Sequence, residues 1–224
     1  CAQSDRRTAG LIPSLFQEMF GRGHANHTKR IRLECAAEVV SGVAKGRNFN
    51  GRKSVEVPYL RVANVRDGHL DLSEIKTIQA TEAEVEELSL RAGDVLLTEG
   101  GDFDKLGRGA MVEHDMPNCI HQNHIFRVRV HRSELHPIFF AKYILTPEAR
   151  GYFLGRSKQT TNLASINMGQ LRALPVPVPP LLQQETFAQR AAEVRQLEAT
   201  RGTSRARLDA LFQSMLHRAF NGEL

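Results

Sequence analysis

Cys119, His121 and His124 are spaced Cys-x-His-x-x-His, and thiol and imidazole are side chains that zinc prefers. The apolar residues around them predict a strand, however. Alternation along it turns Cys119 and His121 to one face and His124 to the other, and the sequence offers no obvious fourth ligand. The expectation is the start of a strand that shows Gln122 and His124 on one side. A second cluster, Glu99-Gly100-Gly101-Asp102-Phe103-Asp104-Lys105, has the composition of a metal loop, since carboxylates beside a lysine can hold Mg2+. Lys105 directly follows Asp104, whereas the acid-x-lysine strand of many nucleases keeps the two apart. The glycines allow close backbone approach, and Lys105 and Arg108 follow at once, so the loop is read as facing DNA. A plain acidic turn is the alternative. The chain has no Asn-Pro or Asp-Pro pair of an amino-methyltransferase tetrapeptide, no dinucleotide or phosphate-binding glycine loop, and no nucleophile elbow. The expectation is therefore no catalytic residue, no metal and no cofactor.

Side chains able to read base edges are plentiful in three polar stretches. Lys45, Arg47, Asn48, Asn50, Arg52 and Lys53 lie in the first; Gln122, Asn123 and His124 in the second; Lys158, Gln159, Thr160, Thr161 and Asn162, with Ser165 and Asn167, in the third. Arginine and lysine suit guanine by bidentate geometry, and asparagine and glutamine suit adenine. Lys45, Arg47 and Arg52 are expected mainly on phosphate, and Gln122, Asn123 and Asn162 on bases. Any one such residue is more often simply solvated; three basic or amide-rich loops on one small domain are less ordinary. The lack of Trp, with only three Tyr, argues against a stacking platform for single strands.

Charge is segregated. Residues 66–105 hold eleven acids against four bases, a net −7, so the remainder of a chain of net charge +5 carries +12. The surplus lies in residues 22–61 and 105–172, a pattern suited to presenting one face to a polyanion. With 224 residues, 41% of them hydrophobic, the chain can bury a real core. No apolar run reaches the length of a membrane helix, and no signal peptide is visible. Three scattered cysteines, Cys1, Cys35 and Cys119, make no disulfide framework, so a cytoplasmic setting is expected.

The elements that must position these loops follow from periodicity. Strands are predicted over 55–65, 70–78, 94–98, 108–112 and 124–130, and helices over 82–90, 137–145 and 148–153. Residues 31–43 read as a short strand and a helical turn, residues 42–53 as a flexible basic loop, and residues 157–167 as a polar loop. Leu174-Pro175-Val176-Pro177-Val178-Pro179-Pro180 is too proline-rich for a helix and reads as a stiff spacer. From Leu181 to Phe220 the pattern is helical, weakened at Thr200–Ser204 by Gly202, with Val194, Leu197, Leu208, Leu211 and Met215 in a heptad-like stripe. A lone helix cannot bury that stripe, so a partner helix is expected. Leu15-Phe16-Gln17-Glu18-Met19-Phe20 returns 196 residues later as Leu211-Phe212-Gln213-Ser214-Met215-Leu216. A repeat at this spacing brackets one globular unit. With the chain opening at Cys1, it leads to the expectation of one unit of a longer two-unit protein. The domains expected are residues 1–25, a preceding helix end and linker; residues 26–174, a globular domain; and residues 175–224, the proline spacer and long helix.

Several stretches carry a resemblance: Leu15–Gly21, Ser41-Gly42, Val57-Pro58-Tyr59-Leu60-Arg61-Val62-Ala63-Asn64-Val65, Gly93-Asp94-Val95-Leu96-Leu97, His121-Gln122-Asn123-His124-Ile125-Phe126-Arg127-Val128, and Leu174–Pro180 with Gln183-Gln184-Glu185. In this order and spacing, over nearly the whole chain, the sequence resembles the DNA-specificity subunit of type I restriction-modification systems. The resemblance implies an α+β fold: a mixed target-recognition domain followed by a long helix of an antiparallel coiled coil. It implies sequence-specific recognition of one half of a split double-stranded DNA site and a scaffold for methyltransferase (modification) subunits and a restriction subunit, with no catalytic centre of its own. The chain departs from the family in having one recognition domain and one full helix. It looks like the second half of such a subunit, or a halved one that pairs with a second copy; the repeat favours the former. The competing readings are a coiled-coil adaptor without DNA specificity and a metal-dependent nuclease.

Overall fold

A computed structural model describes residues 10–21, 28–49, 51–101, 106–159 and 164–221. The chain opens with helix α1 (Leu11–Phe20), then strand β1 (Arg30–Arg32), a 3-10 turn (Leu33–Cys35) and strand β2 (Ala37–Ser41). Strand β3 (Val55–Leu60), a second 3-10 turn (Val62–Asn64), strand β4 (Lys76–Ala80) and helix α2 (Glu82–Leu88) follow. Next come strands β5 (Val95–Thr98), β6 (Gly100–Gly101), β7 (Gly109–Met111), β8 (Ile120–His121) and β9 (Ile125–Val130). Helices α3 (Pro137–Tyr143) and α4 (Pro147–Arg156), strands β10 (Lys158–Gln159) and β11 (Ala164–Ser165), helix α5 (Met168–Arg172) and strand β12 (Pro175–Pro177) lead to the long helix α6 (Leu181–Phe220). The mixture of segregated helices and sheets is the expected α+β class.

Four strands form an antiparallel sheet in the order β2-β9-β5-β7. β9 is interior to it, so Val128 pairs with Val39 on one side and Val95 on the other. Alternation sends Phe126, Val128 and Val130 into the main core and turns Arg127 and Arg129 to the opposite face. The main core lies between this sheet and α1, α3, α4 and the start of α6. Phe16 of α1 meets Phe139 of α3 and Phe187 of α6, each at a ring-centroid distance of 5.4 Å. A second sheet, β4-β3-β8, joins β3 antiparallel to β4 and parallel to β8.

The structure corrects several expectations. The stretch expected as a strand over 70–78 becomes one only from Lys76. Residues 71–74 are held instead by buried Asn64, whose Nδ2 donates to the Asp71 carbonyl at 2.8 Å and the Glu74 carbonyl at 2.9 Å. The proline run is not a free spacer: Pro175–Pro177 pairs with Arg30–Arg32. Its prolines bring no N–H, so the bonds at its ends use other groups: Leu33 N–H donates to the Leu174 carbonyl, Val178 N–H to the Lys29 carbonyl, and the Tyr143 hydroxyl to the Pro175 carbonyl. The polar stretch 157–167 contains paired strands, β10 and β11, and β11 continues onto β6. α6 runs unbroken through Gly202, spanning roughly 60 Å at 1.5 Å per residue. Residues on both sides of position 174 share one core, including Leu171, Leu174, Val176, Phe187 and Ala191. Gln184 locks the helix start: its Oε1 accepts from His136 N–H at 2.8 Å, and its Nε2 donates to the Pro179 and Glu134 carbonyls at 2.8 and 3.1 Å.

Candidate nucleic-acid interface and helix face

The loops singled out by composition are tied to one another by backbone bonds. Val43 N–H donates to the His121 carbonyl, Asn123 N–H to the Val43 carbonyl, and Gln122 N–H to the Leu60 carbonyl, each at 2.9 Å. The Ser41 hydroxyl adds a bond to the Asn123 carbonyl at 2.8 Å. This crossing leaves no room at Gly42, where a Cβ would lie 1.9 Å from the His121 carbonyl oxygen. On the other side of the turn, Glu99 N–H donates to the His124 carbonyl at 3.0 Å, and Ile166 N–H donates to the Glu99 carbonyl at 2.8 Å. Through β6, β11 and β10 the sheet then continues to Lys158 and Gln159. Residues 42–49, 122–124, 99–101, 158–159 and 164–165 thus make one connected edge, although they are far apart in sequence.

Within that edge the side chains divide. Lys45, Asn48, Arg52 and Lys53 are exposed, and Gln122 and Asn123 are partly so. Arg47, expected on phosphate, is engaged elsewhere: its Nη1 and Nη2 both donate to the Glu84 carboxylate, and its guanidinium lies 5.4 Å from the centre of the Phe49 ring. Glu84 is at the third position of α2 and also closes a capping box with Thr81. The Arg47 hydrogen bond holds the Glu84 carboxyl down at about 2, against the opposing effect of burial. His124 is exposed, and its Nδ1 lies 2.6 Å from Glu99 Oε2. Arg108 is half-buried, and its Nε has no partner among the described residues. For Lys158 and Gln159 only the backbone strand is described. Asn50, Lys105, Thr160, Thr161 and Asn162, with Asp102 and Asp104, lie outside the described residues.

The metal-like triplet comes apart. Cys119 is buried, and burial pushes its thiol up to about 11, which disfavours the thiolate that binds metal. His121 is buried in the interior, away from the exposed His124. Among the described residues, no group of three His, Cys, Asp or Glu is placed to hold a metal ion.

The support beneath the edge was not anticipated. Arg127, with a side chain only 1% exposed, donates to the Glu87 carbonyl at 2.8 Å and to Glu38 at 3.1 Å. Arg129 grips Asp94 by two bonds of 2.7 and 2.8 Å, which raises its own pKa further. Together they pin the α2–Ser89 segment onto the central sheet. His121 lies in the same interior without a hydrogen-bond partner on either ring nitrogen. Burial, reinforced by the nearby Arg127 charge, lowers its pKa to about 4; the Val40 main chain opposes that shift without completing a hydrogen bond. A strand reading Phe-Arg-Val-Arg-Val normally puts its arginines in solvent, so the only hint in the sequence was their regular alternation with core residues.

α6 has two parts. Gln184, Phe187, Ala188 and Ala191 are buried, and Val194, expected to face another helix, is half-buried against the chain's own core. From Leu197 onward the stripe is uncovered: Leu197, Leu208, Leu211, Phe212 and Met215 are all at least half exposed. Among the described residues, no helix is long and apolar enough to cross a membrane.

The chain is thus a mixed α+β domain with polar segments gathered on one edge and a long, half-covered helix. No protein-family model matches the chain. It is 27% identical over 203 residues to the specificity subunit of the type I restriction enzyme EcoKI from Escherichia coli strain K12, an alignment covering 88% of this chain and 43% of that one. It is 25% identical over 191 residues to the StySPI specificity subunit of Salmonella potsdam, covering 82% and 40%. The crystal structure of the HsdS subunit from Thermoanaerobacter tengcongensis superposes with a TM-score of 0.58 at 19% identity, over 100% of this chain and 53% of that one, which establishes a shared fold. The chain is related to the specificity subunits of type I restriction enzymes and spans less than half the length of the curated relatives named here.

Proposed function

We propose that this chain recognises one half of a split sequence in double-stranded DNA and serves as a scaffold for the methyltransferase subunits of a type I restriction-modification complex. Residues 26–174 act as the recognition domain, and the exposed part of the long helix is its assembly face. The observation that carries the reading is the convergence of residues 42–49, 122–124, 158–159 and 164–165 on one edge of the domain. The kinship in sequence with specificity subunits supports it, and the basic surplus outside residues 66–105 suits a polyanion. The chain contributes no chemistry: methyl transfer and cleavage belong to the modification and restriction subunits, and the complex works in the cytoplasm. The uncovered helix stripe favours pairing with the other half of a specificity subunit or with a second copy.

Titration of the chain against duplex DNA of varied salt tests the reading. A surface contacting 6–10 phosphates loses about 10³–10⁵-fold in affinity between 50 and 200 mM salt, and a half-site contacting fewer loses less. Binding that is flat with salt, or absent, would reject DNA recognition and leave the coiled-coil adaptor. The same samples, given Mg2+ and a labelled methyl donor, should show neither cleavage nor label incorporation unless a modification subunit is added.

A further inference from the structure

On the reading of the loop edge as a base-facing surface, we propose that His124 is a specificity-determining residue. Its Nε2 accepts a hydrogen bond from the exocyclic amino group of an adenine or cytosine in the major groove, and Glu99 is the positioning residue that makes the ring an acceptor. The pair is set by geometry: Nδ1 of His124 lies 2.6 Å from Glu99 Oε2. A carboxylate only accepts, so Nδ1 carries a proton, and in the neutral form of the ring, which alkaline buffer selects, the lone pair is then at Nε2. The ring is exposed, and among the described residues its side-chain hydrogen bond is the one at Nδ1.

Both partners are held from their main chains. The Glu99 N–H bonds to the His124 carbonyl at 3.0 Å, and the Glu99 carbonyl accepts from Ile166 at 2.8 Å. The His124 turn is closed by Ile125 N–H donating to the Gln122 carbonyl at 2.9 Å and is fastened to β2 by the Ser41 hydroxyl. A side chain whose backbone and tautomer are both fixed before binding discriminates without first paying to order itself. In the major groove, adenine and cytosine present amino donors, whereas guanine and thymine present carbonyl acceptors that would oppose the Nε2 lone pair.

Selection from a randomised duplex library at low salt in alkaline buffer, using the wild-type chain and the Glu99→Gln and His124→Ala variants, tests this. The wild type should prefer A or C over G or T at one position by about tenfold. His124→Ala should lose that preference and no other. Glu99→Gln can donate to Nδ1 and so permits the Nε2–H tautomer; preference at the same position should relax or turn towards G or T. Unchanged preferences in both variants, with sequence-specific binding intact, would overturn this inference alone. A wild-type chain that selects no sequence overturns it together with the proposed function. Thermal melts check that each variant is folded, and the two substitutions stand independently.

Discussion

Leu15–Phe20 and Leu211–Leu216 share four of six residues, yet the protein treats them oppositely. In the first copy Phe16 is 6% exposed, stacked on Phe139 and edge-on to Phe187. In the second copy the equivalent Phe212 is 59% exposed at the far end of α6. Both segments are helical, so local propensity does not separate them. The difference is whether a complementary apolar surface reaches them: the sheet and α3 supply one for α1, and nothing in the described chain supplies one for the end of α6. Burial is worth about 25 cal/mol per Å2 of apolar surface, so the second copy carries unspent association energy, whereas the first has already contributed its share to folding.

The sharpest way to break this comparison is at the uncovered end. Replacing Leu208 and Leu211 together with Glu should abolish assembly with modification subunits or another specificity half, as read by size-exclusion chromatography. The melting temperature of the chain should be unchanged; a fall would mean the segment is covered after all. Next in size is the direct exchange between copies. Phe16→Ala should destabilise the chain by about 3–5 kcal/mol, and Phe212→Ala by less than about 0.5 kcal/mol, in urea unfolding of the chain alone. Equal costs would refute the asymmetry.

A third experiment probes the covered region by pH. His121 titrates at about 4 in the fold, against 6.5 for an ordinary imidazole. The fold therefore refuses a proton that the unfolded chain takes up, and this residue lowers stability as pH falls from about 6.5 to about 4. The loss is on the order of 3 kcal/mol by the lower limit. The slope of unfolding free energy against pH over that window should shrink in His121→Leu; an identical slope would show that the imidazole is not excluded from water. The smallest effect lies at the edge proposed to face DNA. Glu84→Gln keeps the capping box, because glutamine also accepts the Thr81 N–H, and should release Arg47 at a stability cost of about 1 kcal/mol or less from the lost ion pair. It should also steepen the salt dependence of duplex binding by about one phosphate contact. Unchanged salt dependence would mean that Arg47 does not reach DNA even when freed.

Much of the scaffold was legible in the sequence. The strands expected over 94–98 and 124–130 and the helix expected over 82–90 became β5 (Val95–Thr98), β9 (Ile125–Val130) and α2 (Glu82–Leu88), because burial of those residues depends mainly on their own periodicity. Several residues within the stretches that carried the resemblance prove to be scaffold residues. Gly42 permits a backbone crossing, Asn64 satisfies the turn at 71–74, and Gln184 fastens the long helix. The three polar loops were legible as composition but not as a surface, since what joins them are main-chain bonds between segments up to about eighty residues apart, such as Asn123 N–H to the Val43 carbonyl. Arg47 shows the limit from the other side. Its basic neighbourhood pointed to phosphate, whereas Glu84, from a helix that the sequence places 37 residues away, holds it.

The sequence by itself determined the α+β class, the long terminal helix with its apolar stripe, the charge segregation and the likeness to specificity subunits, because these reside in periodicity, composition and the order of short motifs. Only the tertiary structure decided which copy of the repeat is buried, that the proline run is an edge strand, that Arg127 and His121 are interior, and that Glu99 lies against Nδ1 of His124. Each of these depends on what a distant segment brings to within hydrogen-bonding or van der Waals reach, and periodicity along one segment carries no record of the surface it will meet.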